Sequence, residues 1–284
     1  MKLVSFIISG KPGYGVVKDG GVVDLGRRFG DRLPTLRSLL AAGALGEAER
    51  VAQGAAPDMP LEGLTLAPVI PDPDKIVCIG LNYRDHVAET ARTVTEKPAL
   101  FARFAGSQVG HLQPLVKPVV SDEFDYEGEL AVVIGKPGRR IPAGRALDHV
   151  AGYACYNDGS VRDWQRHTSQ YLAGKTFAGT GGFGPWLVTA DEIPDPSRLT
   201  LETRLNGQVV QHTGTSLMIT DIPGQIAYIS AVLPLLPGDV IATGTPGGVG
   251  LKRKPPLFMR PGDIVEVEIS GVGVLRNPVI AEAA

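Results

Sequence analysis

The sequence predicts an α+β fold dominated by strands, on three observations. Glycine (36) and proline (23) together make about a fifth of the 284 residues, which suits many short strands joined by tight turns better than long helices. Short apolar runs recur along the chain, each closed by turn residues. Helical periodicity is clearest in only two stretches, 33–52 and 219–235.

Taken in order, strands are expected at Leu3–Ile8 and over Tyr14–Val23, the latter split by the turn Lys18-Asp19-Gly20-Gly21. From Leu33 to Ala52 the apolar residues at 36, 39, 40 and 44 describe an amphipathic helix, with a break available at Gly43. A proline-rich connector from Pro68 to Asp74 separates a small N-terminal domain, residues 1–70, from a larger domain, residues 71–284. Further strands follow at Lys75–Gly80, Glu129–Ile134, Gly152–Tyr156 and Trp186–Thr189, with a short helix or turn over Ala143–Val150. Asn206-Gly207 between Leu199–Leu205 and Val209–Gln211 is a strong hairpin signal. The stretch from Ile219 to Leu235 reads as a helix kinked near Pro223-Gly224. Two Pro-Gly-Asp turns, at 237–239 and 261–263, each feed a strand.

Composition excludes several functions. A formal net charge of −2, with no basic run longer than Lys252-Arg253-Lys254, gives no field for nucleic acid. No apolar run reaches membrane-spanning length and no secretory signal is visible, so a cytoplasmic protein is expected. Cys78 and Cys155 lie in apolar runs and read as buried free thiols.

Three groups of residues can carry chemistry. In Asp125-Tyr126-Glu127-Gly128-Glu129-Leu130, the residues 127 and 129 are two apart and share a face in a strand. Same-facing carboxylates repel unless a positive charge sits between them, and a divalent cation is the simplest candidate. Asp158, after the run Gly152–Tyr156, offers a third carboxylate. Such oxygen-only ligands suit magnesium, manganese or calcium and argue against structural zinc. In Asn82-Tyr83-Arg84-Asp85-His86-Val87-Ala88-Glu89, Asn82 reads as an N-cap, and His86 and Glu89 are three apart, neighbours on one helix face. A histidine oriented by a carboxylate is what a general base needs. Arg162, Gln165 and Lys175 are donors able to converge on an oxyanion. By contrast, Gly179–Gly184 spells GxGxxG but runs into Pro185 and a strand, whereas a dinucleotide loop must open a helix. The loop Gly244–Gly250 lacks the ending of a phosphate loop and reads as a ligand-side loop carrying the Thr245 hydroxyl.

Together these segments resemble the fumarylacetoacetate hydrolase family. The matching pieces are Gly80–His86, Asp125–Leu130, Asn157–Gln165, Gly174–Phe177 and Pro237–Pro246, in the family's order and covering roughly residues 75 to 280. The resemblance implies a mixed β-sandwich roll with a small leading domain, a homodimer, and Mg2+ (or Mn2+ or Ca2+) held by Glu127, Glu129 and Asp158. It implies a water-activating pair in His86 and Glu89, polar donors in Arg162, Gln165 and Lys175, and a substrate-carboxylate contact in Thr245. Tyr83, Arg103 and His167 are further expected substrate contacts. Arg103 stands where many relatives have lysine, Ala178 and Gly182–Pro185 depart from the common pattern, and Arg166–Gln170 is a polar insert.

The implied substrate is a small 2-oxo or diketo acid. The first expectation is hydrolytic cleavage of a carbon–carbon bond in a 2,4-diketo acid, giving pyruvate or a related 2-oxo acid plus a second acid. The alternative is decarboxylation, isomerisation or tautomerisation of a 2-oxo or hydroxymuconate-type acid on the same metal-enolate platform.

Overall fold

Alternating apolar runs and tight turns build three sheets in the computed structural model, which describes residues 1–90 and 96–283. The largest runs Met59–Pro60, Gly21–Asp24, Lys11–Lys18, Lys2–Ile8, Gly181–Thr189, Val150–Asn157, Gly128–Ile134, Val240–Ala242, Ile76–Gly80, Ala99–Arg103. A second, five-stranded sheet has the order Gln208–Gly214, Thr200–Leu205, Ile264–Ile269, Gly273–Ala281, Leu115–Lys117. A two-stranded ribbon pairs Phe124–Asp125 with Ser160–Val161.

The strand Gly128–Ile134 lies at the centre, buried along its whole length. Its period of two divides it between two cores. Leu130, Val132 and Ile134 pack with Leu201, Val267, Ile269 and Leu275 of the second sheet and with Ile222, Ile226 and Ile229 of the helix Ile222–Val232. Ala131 and Val133 face the other way, toward Leu36, Leu39 and Leu40 of the helix Leu36–Ala41. Both sandwiching layers therefore grip the strand whose leading end carries the acidic motif.

The helix expected over 33–52 is two helices, Leu36–Ala41 and Leu45–Gln53, parted where Gly43 takes φ +63°. The C-terminal one is straight in its sequence logic: Asp221 caps it by accepting the Gly224 N–H, and Pro223 sits in the first turn, where no amide donor is needed. The kink expected there is thus a helix start. Asn206 and Gly207 both have positive φ, 52° and 78°, as a two-residue hairpin turn requires. Gly181 and Gly182, within the GxGxxG spelling, already belong to a strand.

No gap in the sheet separates residues 1–70 from the rest: Lys2–Ile8 pairs antiparallel with Gly181–Thr189, Leu3 opposite Leu187. Both cysteines are buried and free. No helix among the described residues is long and apolar enough to cross a membrane.

Candidate metal centre and active site

Sheet register assembles the acidic cluster. Gly128 pairs with Asn157 and Glu129 with Tyr156, so the next step outward brings Glu127 opposite Asp158. Two bonds fix that step: the Asp158 N–H donates to the Glu127 carbonyl at 2.8 Å, and the Glu127 N–H donates to Asn157 Oδ1 at 2.9 Å. Residues opposite each other across a pair share a face, as do residues two apart in a strand. Glu127, Glu129 and Asp158 consequently converge, with one oxygen from each lying within 4.8 Å of the others, and all three are buried.

Buried charges must be compensated. Lys175 Nζ bridges Glu127 Oε2 at 2.5 Å and Asp158 Oδ2 at 2.6 Å. Arg162 reaches Glu127 Oε1 at 2.7 Å and Asp125 Oδ2 at 2.8 Å, while Arg103 lies 2.5 Å from Asp158 Oδ1. Counting Asp125, four carboxylates face three cations, and the shortfall falls on Glu129. It accepts the Gly244 N–H at 2.8 Å and has no ion pair among the described residues. Burial, then the Asp158 and Glu127 charges, push its carboxyl well above the usual range. Glu127 goes the opposite way: burial pushes it up, but Lys175 and Arg162 outweigh that and hold it well below. An oxygen-only set lacking one positive charge fits a hard divalent cation held by Glu127, Glu129 and Asp158.

Glu127 and Glu129 open onto a cavity of about 550 Å3. On its rim the short helix Arg84–Glu89 carries His86, whose Nδ1 lies 2.8 Å from Glu89 Oε1. The other oxygen of Glu89 accepts the Gly248 N–H at 2.9 Å, pinning the helix to the loop after Val240–Ala242. With Nδ1 engaged by a carboxylate, Nε2 is the nitrogen free for chemistry.

His86, Arg162, Gln165, Lys175 and Thr245 all line this cavity. Thr245 Oγ1 donates to the Gly128 carbonyl at 2.9 Å and accepts from Gln211 Nε2 at 2.8 Å, so its hydroxyl proton is already committed. Three expected substrate contacts lie elsewhere. Tyr83 is enclosed in the sandwich core. Arg103 is enclosed behind Asp158, where it donates to Asp158, the Gly159 carbonyl and Thr180 Oγ1. His167 is exposed and lies against Trp164, ring centroids 4.8 Å apart, and does not itself line the cavity, although its neighbours Arg166 and Thr168 do. Asn82 does not cap the helix: its amide donates to the Thr220 and Thr243 carbonyls and accepts the Thr220 N–H. Sequence reasoning passed over Phe101, Tyr171 and Lys252 in the lining. Lys252 had a signal, as the first residue of the basic run, but only the loop's course brings it to the cavity.

Residues 75–280 match the sequence model of the fumarylacetoacetate (FAA) hydrolase C-terminal domain. The chain is 42% identical to human oxaloacetate tautomerase FAHD2A, mitochondrial, over 99% of this chain and 92% of that protein. The rat oxaloacetate tautomerase Fahd2a, mitochondrial, is 43% identical over 92% of this chain and 84% of its own length. Among solved structures, maleylpyruvate hydrolase from Sphingobium sp. SYK-6, in complex with manganese (II) ion and pyruvate, superposes with a TM-score of 0.82 at 32% identity, covering 100% of both chains. The cytoplasmic location expected from the sequence is overturned by the first two relatives, which are mitochondrial proteins by name; composition and buried thiols do not choose between reducing compartments. The sandwich, the strand-end carboxylates and the extent of these matches lead to one conclusion: the chain belongs to the fumarylacetoacetate hydrolase family.

Proposed function

We propose that this protein is a divalent-metal tautomerase acting on oxaloacetate or a closely similar 2-oxo acid. The observation that carries it is the 42% identity, over 99% of this chain, with a human oxaloacetate tautomerase. This reverses the order of the two activities expected from the sequence and puts enolate chemistry without bond cleavage first. Mg2+ is the proposed metal, with Mn2+ and Ca2+ suited to the same oxygen donors.

A divalent cation held by Glu127, Glu129 and Asp158 would supply the Lewis acidity that stabilises an enolate. The rest falls to the chain's own side chains. Converting an enol to its ketone takes a proton from the enol oxygen and delivers one to the neighbouring carbon, so no water is consumed. His86 Nε2 moves the proton at carbon, with Glu89 holding the ring and its tautomer through Nδ1. Arg162, Gln165 and Lys175 offer donors to the charged oxygen from the same lining. On the family resemblance alone we also infer a homodimer, which sedimentation tests.

The test is stopped-flow decay of enol absorbance on adding oxaloacetate to the Mg2+-loaded protein, with products followed by mass. Acceleration without a second acid or carbon dioxide supports the tautomerase; no acceleration over metal and buffer alone sinks it. A second activity has its own observation. The His86–Glu89 pair is also what activation of a water molecule needs, and a maleylpyruvate hydrolase shares the fold at 32% identity. Release of pyruvate plus a second acid from a 2,4-diketo acid would establish hydrolysis instead.

A further inference from the structure

Asp125 is the one carboxylate of the buried cluster that lies outside the proposed metal set. It is fully enclosed and does not line the cavity. Its oxygens accept four bonds. Oδ1 takes the Tyr126 N–H at 2.9 Å and the Gly250 N–H at 2.8 Å; Oδ2 takes the Leu251 N–H at 2.9 Å and Arg162 Nε at 2.8 Å. Three of these donors are backbone amides, so the carboxylate has no freedom to swing. The approach is close enough to demand glycine: a Cβ at Gly250 would lie 2.6 Å from Asp125 Oδ1 and 1.9 Å from the Leu257 carbonyl.

What that rigid carboxylate holds is Arg162. The guanidinium is a planar fork, so fixing two of its nitrogens fixes the third. Nε is on Asp125, and Nη1 donates to Gln165 Oε1 at 3.0 Å and lies 2.7 Å from Glu127 Oε1. Nη2 is buried and has no hydrogen-bond partner among the described residues, on a residue that lines the cavity. Buried donors are rarely left unpaired unless a ligand completes them. Glu127 is a poor sole anchor for this geometry, because it is shared with Lys175 and belongs to the proposed metal set. Asp125 has no such second duty.

We propose that Asp125 is a positioning residue that holds the Arg162 guanidinium in place for an anionic oxygen of the bound 2-oxo acid. The identity of that acid rests on the tautomerase assignment; the positioning does not. The test uses the full Mn2+-loaded chain and oxalate, a planar two-carboxylate probe, alongside oxaloacetate turnover. In Asp125→Asn, the amide keeps one acceptor oxygen and sets an N–H against a donor. Oxalate affinity and kcat/KM are then expected to fall about tenfold or more, while affinity for Mn2+ alone stays within about threefold. A purely structural role would weaken Mn2+ and oxalate together. Arg162→Gln and the double variant Asp125→Asn/Arg162→Gln should agree within about twofold in oxalate affinity, since Asp125 acts through Arg162.

Either of two results overturns the proposal: oxalate affinity and kcat/KM of Asp125→Asn within about twofold of the parent, or a double variant about tenfold worse than Arg162→Gln. Should Asp125→Asn alone fail to fold, the second comparison decides, because the double variant leaves neither buried charge unpaired with the other. A parent protein that binds oxalate yet leaves oxaloacetate untouched would end the tautomerase assignment, and the oxalate titrations would still judge Asp125.

Discussion

The cavity has two kinds of wall. One is made by Glu127 and Glu129 at the leading end of a strand and by Lys175 at the end of the one-turn helix Leu172–Lys175, all buried; ion pairs among Glu127, Lys175, Asp158, Arg103 and Arg162 hold it, and Glu129 accepts the Gly244 N–H. The other is carried on turns: Arg166, Thr168 and Ser169 follow the one-turn helix Arg162–Gln165, and Lys252 ends the 3-10 turn Gly250–Lys252. These loop residues are exposed, and Arg166 is paired only at the surface, with Glu123. Chemistry that tolerates no misplacement sits where sheet register fixes it, and contacts to the variable part of a ligand sit where the backbone can change at little cost.

The largest expected effect breaks the buried wall. Glu129→Gln removes the carboxylate that lacks a protein cation while keeping its shape and the Gly244 contact. Mn2+ affinity by calorimetry should fall about 100-fold or more and the proposed tautomerase turnover with it, since loss of even an outer-shell partner costs about 10–100-fold. Unchanged Mn2+ binding would remove the cluster as the metal centre. Next comes His86→Asn, which leaves the carboxylates alone. Turnover should fall by about 10²–10⁴, the usual worth of a positioned acid–base group, with Mn2+ affinity unchanged. If turnover survives, proton transfer at carbon belongs to another residue.

A third prediction concerns rigidity rather than chemistry. At Gly128 an added Cβ would meet Thr203 Oγ1 at 2.0 Å, where the second sheet crosses the metal strand. Gly128→Ala should therefore cost about 1–3 kcal/mol, the usual penalty for overpacking, read as a lower urea midpoint with an unchanged slope. An unshifted midpoint would mean the sheets give way easily, and the contrast between the two walls would lose its basis.

The same contrast explains what was legible in the sequence. The alternation at Glu127 and Glu129 is local, and period two suffices to put both on one face. Asn206-Gly207 and the break at Gly43 were legible for the same reason, because a positive φ is a demand of a single residue. Most failures at the site are long-range. Arg103 meets Asp158 across 55 residues of chain, and no local pattern tells a neutralising arginine from a ligand-binding one. Asn82 looked like a cap, yet its partners are Thr220 and Thr243, 138 and 161 residues away. Asp125 was part of the motif, but its role depends on two amides that arrive from residues 250 and 251.

The smallest effect is expected on the loop-borne wall, and it is the one that sharpens the comparison most. Lys252 is exposed, lines the cavity and makes no ion pair among the described residues, so its charge is available to a second carboxylate of a diacid. An exposed charge acts through water and is screened by salt, which limits it to steering and weak holding. Lys252→Ala should raise KM for oxaloacetate by about two- to fivefold at low salt, with kcat within about twofold, the size expected for a solvent-exposed pair. Raising the salt to about 0.5 M should erase most of that difference, because the screening length then falls well below 10 Å. A fall in kcat with KM unchanged would mean that Lys252 reaches the reacting atoms, and the turn would then belong with the buried wall rather than opposed to it.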